Sequence, residues 1–149
     1  MITRDIHYIR QLIIVRGIPG SGKTTLATNL LSQFREANIA SEMFEADQYF
    51  LNKNNEYVFD RNKLCDAHQY CQDRTYNSLK EGKTVIVSNT FTLKSELLPY
   101  FNMIKAYEMN PTVILAQSEY GSIHGVPEAT LLNMRKRFQY DISSLFGDF

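Results

Sequence analysis

The 149-residue sequence has no net charge, because sixteen Lys and Arg side chains offset sixteen Asp and Glu. No global field draws it to nucleic acid or to an anionic membrane, so any such binding must come from a local patch. Cysteine is scarce: Cys65 and Cys71 are the only two. Both fall in one predicted helix, where a rise of about 1.5 Å per residue sets their Cα atoms about 9 Å apart, too far for a disulfide. Neither has Cys or His neighbours at metal-ligand spacing, so both are expected to be reduced packing residues of a cytosolic protein. Long apolar runs are absent, which excludes a membrane-spanning helix, and the charged N-terminus MITRDIHYIRQ has no signal-peptide character. The expected location is the cytoplasm, with no membrane partner. Repeats, low-complexity segments and interdomain linkers are also lacking, so residues 1–149 are expected to form a single domain. A chain of this length buries roughly 70% of the surface it exposes when unfolded.

What the sequence does contain is an alternation of apolar blocks. QLIIVRG, from Gln11, is a β-branched run ending at glycine and reads as a strand buried on both faces. Lys23 to Asn38 then follows helical spacing through Leu26, Leu30 and Phe34. SEMFEAD, Ser41 to Asp47, alternates as a second strand, and QYFLNKNNEYVF is Asn-rich and irregular. Asp60 is placed as the N-cap of a helix reaching Glu81, which Gly82 stops. KTVIVSN reads as a third strand, LKSELLPYFNMIKAYEM as a helix in which Pro99 implies a kink or a late start, and PTVILAQ as a fourth strand. After the polar stretch SEYGSIHGV, PEATLLNMRKRFQYD reads as a last helix, with Pro127 in its first turn and Arg135, Lys136 and Arg137 in its last. The alternation predicts an α/β fold, a doubly wound parallel sheet of about four strands flanked by helices. Ligands of such a sheet bind beyond the carboxyl ends of its strands.

Between the first strand and the first helix, Gly17-Ile18-Pro19-Gly20-Ser21-Gly22-Lys23-Thr24 satisfies GxxxxGK[ST], with Thr25 next. Glycines let backbone N–H groups converge on a phosphate, and the helix N-terminus adds partial positive charge. Lys23 is placed to reach the β- and γ-phosphates and the Thr24 hydroxyl to hold Mg²⁺. Gly17 to Thr25 are thus the expected nucleotide-binding set, with ATP and Mg²⁺ as ligands. A phosphate cradle is common to motors, switches and kinases, so the acceptor must be read elsewhere. Asp47 closes the predicted second strand, where a carboxylate can accept the proton of an attacking hydroxyl. On spacing alone, a loop-capping aspartate is the alternative.

GIPGSGKTT, ADQYF, YVFDRNKLCDAHQY, VIVSNT and IHGVP occur in this order across nearly the whole chain. The set resembles the P-loop domain of polynucleotide 5′-hydroxyl kinases, found in phage end-repair enzymes and related eukaryotic kinase-like domains. The resemblance implies that Lys23 and Asp47 are catalytic, Asp47 being the base that activates the 5′-hydroxyl of a DNA or RNA end or of a nucleotide. It also implies that Ser88, Asn89 and Thr90 face the same site, and that His124 is the lid histidine. His68 matches a family histidine and is expected to be a packing residue. Two departures stand out. Phe50 replaces the arginine that holds the acceptor phosphate in the phage enzymes, and the lid reads Glu119-Tyr120-Gly121-Ser122, without the family's phosphate-clamping arginine. Arg16, Arg135 and Arg137 are candidate replacements, against plainer readings as a strand end and as helix-dipole partners. Tyr49, Phe50, Tyr57 and Phe59 crowd the irregular segment, either to stack a base or to cover the sheet end.

The implied function is ATP-dependent phosphotransfer to a hydroxyl. A nucleotide-binding module or slow ATPase, and a small-molecule kinase, are the alternatives that the two missing cations keep open. No phosphatase DxD[GT] motif or pair of HxT or HxS motifs accompanies the P-loop, so a second end-repair activity is not expected. A protein partner could still supply an arginine in trans.

Overall fold

The computed structural model describes residues 5–118 and 125–149. Four strands, β1 (Gln11–Arg16), β2 (Ser41–Phe44), β3 (Thr84–Asn89) and β4 (Thr112–Leu115), pair in parallel in the order β2-β3-β1-β4. Four helices, α1 (Lys23–Glu36), α2 (Leu64–Lys80), α3 (Lys94–Lys105) and α4 (Glu128–Arg137), connect or follow them. This is the expected doubly wound α/β sheet.

Period-two alternation in the two central strands sorts their side chains between two helical layers. Leu12, Ile14, Val85 and Val87 pack with Ala67 and Cys71 of α2 and with Leu97, Tyr100 and Ile104 of α3. Ile13, Val15 and Ile86 point the other way, onto Ala27, Leu26, Leu30 and Phe34 of α1. Because both faces are covered, β1 and β3 are buried almost throughout. α4 has no buried residue and stands outside this core.

Several boundaries differ from the sequence expectation. β2 ends at Phe44, not Asp47, and Ala46–Phe50 winds into a 3-10 turn. The Ala46 N–H leaves the strand ladder to donate to Asn89 Oδ1 at 2.8 Å, while Gln48 Oε1 accepts from the Glu45 N–H at 3.2 Å. Asp60 caps a 3-10 turn, Arg61–Lys63, by accepting from the Asn62 N–H at 3.0 Å, so α2 begins only at Leu64. α3 begins at Lys94 and runs through Pro99, so the late start does not occur. Pro127 precedes α4 instead of lying in its first turn, and the helix stops at Arg137 because Phe138 turns extended and is buried. Cys71 is buried, but Cys65 is exposed and is no packing residue. No described helix is long and apolar enough to cross a membrane.

Candidate nucleotide site

The loop between β1 and α1 is shaped by backbone contacts. Gly17 N–H donates to the Thr90 carbonyl at 3.2 Å, and the Ser118 N–H to the Ser21 carbonyl at 3.1 Å. A Cβ on Gly17 would come within 2.5 Å of Ser21 Oγ and 2.6 Å of the Ala116 carbonyl, so no side chain fits there. Gly22, at φ +87°, takes the left-handed conformation that favours glycine and turns the chain into α1. The Ser21 hydroxyl is buried and has no hydrogen-bond partner among the described residues. An orphaned buried hydroxyl costs stability unless a ligand oxygen meets it, and phosphate oxygens suit that place.

Lys23 lies across the loop, its Nζ donating to the Ile18 carbonyl at 3.0 Å. Burial pulls its pKa down, while the charges of Glu45 and Asp47 push it back up. The hydroxyl of Thr24, at the exposed start of α1, donates to Glu45 Oε1 at 2.9 Å. Burial raises the Glu45 pKa, the neighbouring Asp47 charge adds to this, and Thr24, Lys23 and Ser88 oppose it. Glu45 escaped the sequence reading. Its one signal was being an acidic residue two positions before Asp47 at the end of an alternating strand.

Asp47 is exposed on the first turn after β2 and shares an electrostatic environment with Lys23 and Glu45. Burial, and after it the Asp47 charge, raises the Tyr57 pKa, so the phenol lies within the field of that carboxylate. Thr24 and Glu45 offer two oxygen ligands, a fit for Mg²⁺, which keeps several waters and takes its remaining ligands from phosphates. Among the described residues no cluster of three or more His, Cys, Asp or Glu offers an all-protein metal cage.

Other candidates are placed differently. Asn89 is buried, accepting from the Ala46 N–H and donating to Cys71 Sγ at 3.7 Å. Phe50 is 5% exposed and belongs to the core, beneath the rings of Tyr57 and Phe59. Arg16 does not reach the loop. Alternation in β1 sends it to the face of Leu12 and Ile14, where Nε and Nη2 donate to the Phe91 carbonyl at 3.1 and 2.6 Å. Its guanidinium also stacks 4.3 Å above the Phe138 ring. Arg135, by contrast, lines a cleft of about 600 Å³ that Gly17–Ser21 also line. Glu128, Leu131 and Arg135 recur at helical spacing and present one stripe of α4 to that cleft. Arg137 is not among the lining residues. His68 is half-buried on α2. Glu119, Tyr120, Gly121, Ser122 and His124 lie outside the described residues.

Comparison with known proteins agrees with this architecture. Human NEDD4-binding protein 2 is 28% identical over 144 residues, which cover 89% of this chain but 8% of that protein. An uncharacterized protein of Pasteurella multocida is 23% identical over 134 residues, 85% of this chain and 75% of its own length. Among solved structures, Kti12 of Chaetomium thermophilum in complex with ADP and AlF3 has a TM-score of 0.63 at 16% identity, covering 86% of this chain and 80% of its own. The APS kinase of Mycobacterium tuberculosis has a TM-score of 0.60 at 11% identity, covering 88% and 98%. The chain in the Pnkp1/Rnl/Hen1 complex has a TM-score of 0.50 at 18% identity, covering 99% of this chain and 46% of its own. These structures share the P-loop kinase-type fold. The AAA domain family profile matches residues 12–119, from β1 past the end of β4, and the chain belongs to that family.

Proposed function

We propose that residues 1–149 act as one domain that transfers the γ-phosphoryl group of ATP to a hydroxyl, with the 5′-hydroxyl of a nucleic acid end or of a nucleotide as acceptor. The observation that carries this reading is the meeting of Lys23, Thr24, Glu45 and Asp47 at the mouth of one phosphate loop. The nucleotide held by Kti12 and the kinase named among the structural neighbours support the donor side. The ordered motifs shared with polynucleotide kinases support the acceptor side.

The amides of the Gly17–Thr25 loop hold the phosphates, with Pro19 shaping the turn and contributing no N–H. Lys23 exchanges the Ile18 carbonyl for phosphate oxygens and stabilises the charge that develops during transfer. Asp47 takes the proton of the acceptor hydroxyl. The hydroxyl oxygen forms a bond to the γ-phosphorus as the bond to the bridging oxygen breaks, and ADP leaves. Thr24 and Glu45 would hold Mg²⁺, which when bound neutralises charge on the phosphate oxygens. Arg135, facing the loop across the cleft, supplies the cation that the lid sequence lacks.

One observation favours a second reading, a nucleotide-binding module with slow turnover: the Arg16 guanidinium is spent on Phe91 and Phe138 and adds no charge at the phosphates. Labelled ATP with 5′-hydroxyl oligonucleotides, nucleosides and sugars separates the readings. Acceptor-dependent label transfer that is lost in Asp47→Asn supports the kinase. ATP binding without transfer at high protein concentration supports the module, and preferred labelling of a sugar supports a small-molecule kinase.

A further inference from the structure

We propose that the acceptor is recognised by its ring: Tyr57 and Phe59 form a shelf that stacks the base of a nucleoside whose 5′-hydroxyl meets Asp47. The inference rests on the phosphotransferase reading above and names the acceptor class for that site.

The shelf is built, not incidental. Leu51 and Tyr57 form an antiparallel bridge, the Val58 N–H donates to the Phe50 carbonyl at 2.8 Å, and the Asn52 N–H to the Glu56 carbonyl at 2.9 Å. Asn52 Oδ1 accepts from the N–H groups of Asn54 and Glu56, each at 2.9 Å, which fixes the tip of this hairpin. Tyr57 and Phe59 are two residues apart on an extended stretch, so their side chains fall on the same side. Their rings are nearly parallel, 15° apart in plane with centroids 6.4 Å apart. Phe50 stands beneath both, its centroid 6.1 Å from Tyr57 and 5.1 Å from Phe59 at steep angles, and sets their tilt. Despite that support the upper rings are 37% and 51% exposed, and Leu51 beside them is 46% exposed. A contiguous apolar surface of this kind marks a binding site more often than a solvated one.

Position supplies the chemistry. Asp47 and Phe50 share the turn Ala46–Phe50, so the foot of the shelf lies three residues along the chain from the proton-accepting carboxylate. In a β-nucleoside the base and the 5′-hydroxymethyl group project from the same face of the sugar. A base laid on the shelf therefore keeps its 5′-hydroxyl on the shelf side of the sugar, toward the turn that carries Asp47. Aromatic faces accept any base, so little base preference is expected. The residue that stands in place of a phosphate-holding arginine is the foot of this shelf, which exchanges recognition of a phosphate for recognition of a ring.

The chain contains no tryptophan, so Phe59→Trp places a single stacking-sensitive fluorophore on the shelf. A nucleoside is expected to quench it without ATP present, and ribose is not. With labelled ATP, Phe59→Leu is expected to raise the nucleoside KM about tenfold or more, a larger change than its effect on kcat. Tyr57→Phe, which keeps the ring and removes only the hydroxyl, is expected to leave the nucleoside KM within about threefold of the parent's. Absence of quenching by nucleosides, an unchanged KM in Phe59→Leu, or stronger quenching by sugars than by nucleosides overturns the shelf. Quenching with no transfer to any acceptor leaves the shelf standing and sinks the phosphotransferase reading. Transfer that ignores Phe59→Leu does the reverse.

Discussion

The Arg16 guanidinium grips the carbonyl of Phe91 through two N–H groups, at 3.1 and 2.6 Å. Phe91 itself sits at φ +48°, a left-handed conformation unusual for an aromatic residue. The bend that follows β3 is thus held from beneath by the last residue of β1. The Thr90 carbonyl just before it accepts the Gly17 N–H, so the same bend helps to position the phosphate loop.

Replacing Arg16 by Met leaves the Phe91 carbonyl unpaired and removes the stack on Phe138. The expected cost is about 2–3 kcal/mol, a fall in Tm of about 4–12 °C at this chain length. Arg16→Lys recovers only part, because an ammonium cannot fork as a guanidinium does. Thermal melts followed by circular dichroism check this, and a melt within a degree of the parent contradicts it.

Lys23→Ala and Asp47→Asn separate the two halves of the site. Lys23→Ala weakens ATP binding and lowers transfer by on the order of 10²- to 10³-fold. Asp47→Asn keeps ATP affinity within a few-fold and lowers transfer by about 10²- to 10⁴-fold. Calorimetry with ATP beside a label-transfer assay measures both. Undiminished transfer in Asp47→Asn removes it as the base.

Glu45 sets stability against function. Its pKa is raised in the fold, so the folded state holds this proton to higher pH than the unfolded state. Stability then falls as pH rises from the ordinary carboxylate value through the raised one. Glu45→Gln escapes that fall: its Tm exceeds the parent's at neutral pH, and the gain disappears below the ordinary carboxylate value. The same variant needs more Mg²⁺ for half-maximal transfer. Melts from pH 3 to 8 and a Mg²⁺ titration test the pair, and a variant less stable than the parent at pH 7 contradicts the first half.

Arg135→Ala weakens ATP binding about tenfold, the loss expected of one charge-assisted contact. Arg137→Ala, two residues on and outside the cleft, changes it less than twofold. Equal effects of the two substitutions contradict a specific role for Arg135.

The central strands were legible because β1 and β3 are buried on both faces and read as unbroken apolar runs. The phosphate loop was legible because its shape depends on Gly17, where a Cβ would clash, and on Gly22, whose left-handed φ favours glycine. Residues that depend on a distant partner were not. Glu45 meets Thr24 across 21 positions, and nothing local to either marks the pair. The direction of Arg16 followed from alternation, but the carbonyl that captures it lies 75 positions away. β2 ended early because a side-chain amide, Asn89 Oδ1, replaced a backbone acceptor, a substitution that hydrophobic patterning does not register. Whether Phe50 stacks a base or covers the sheet end stayed open in the sequence because its burial arises from the hairpin that folds back over it.

The contrast between backbone and side chain at the mouth of the sheet has an evolutionary consequence. The phosphate loop is written in main-chain amides, which substitutions away from Gly17 and Gly22 inherit unless they introduce proline. The Asp47 side rests on side chains carried by a short turn and a hairpin, tied to the sheet through Asn89 and through Gln48, whose Nε2 donates to the Met43 carbonyl. Drift can therefore rewrite what is phosphorylated, one residue at a time, while the machinery that presents the phosphate passes intact from one descendant to the next.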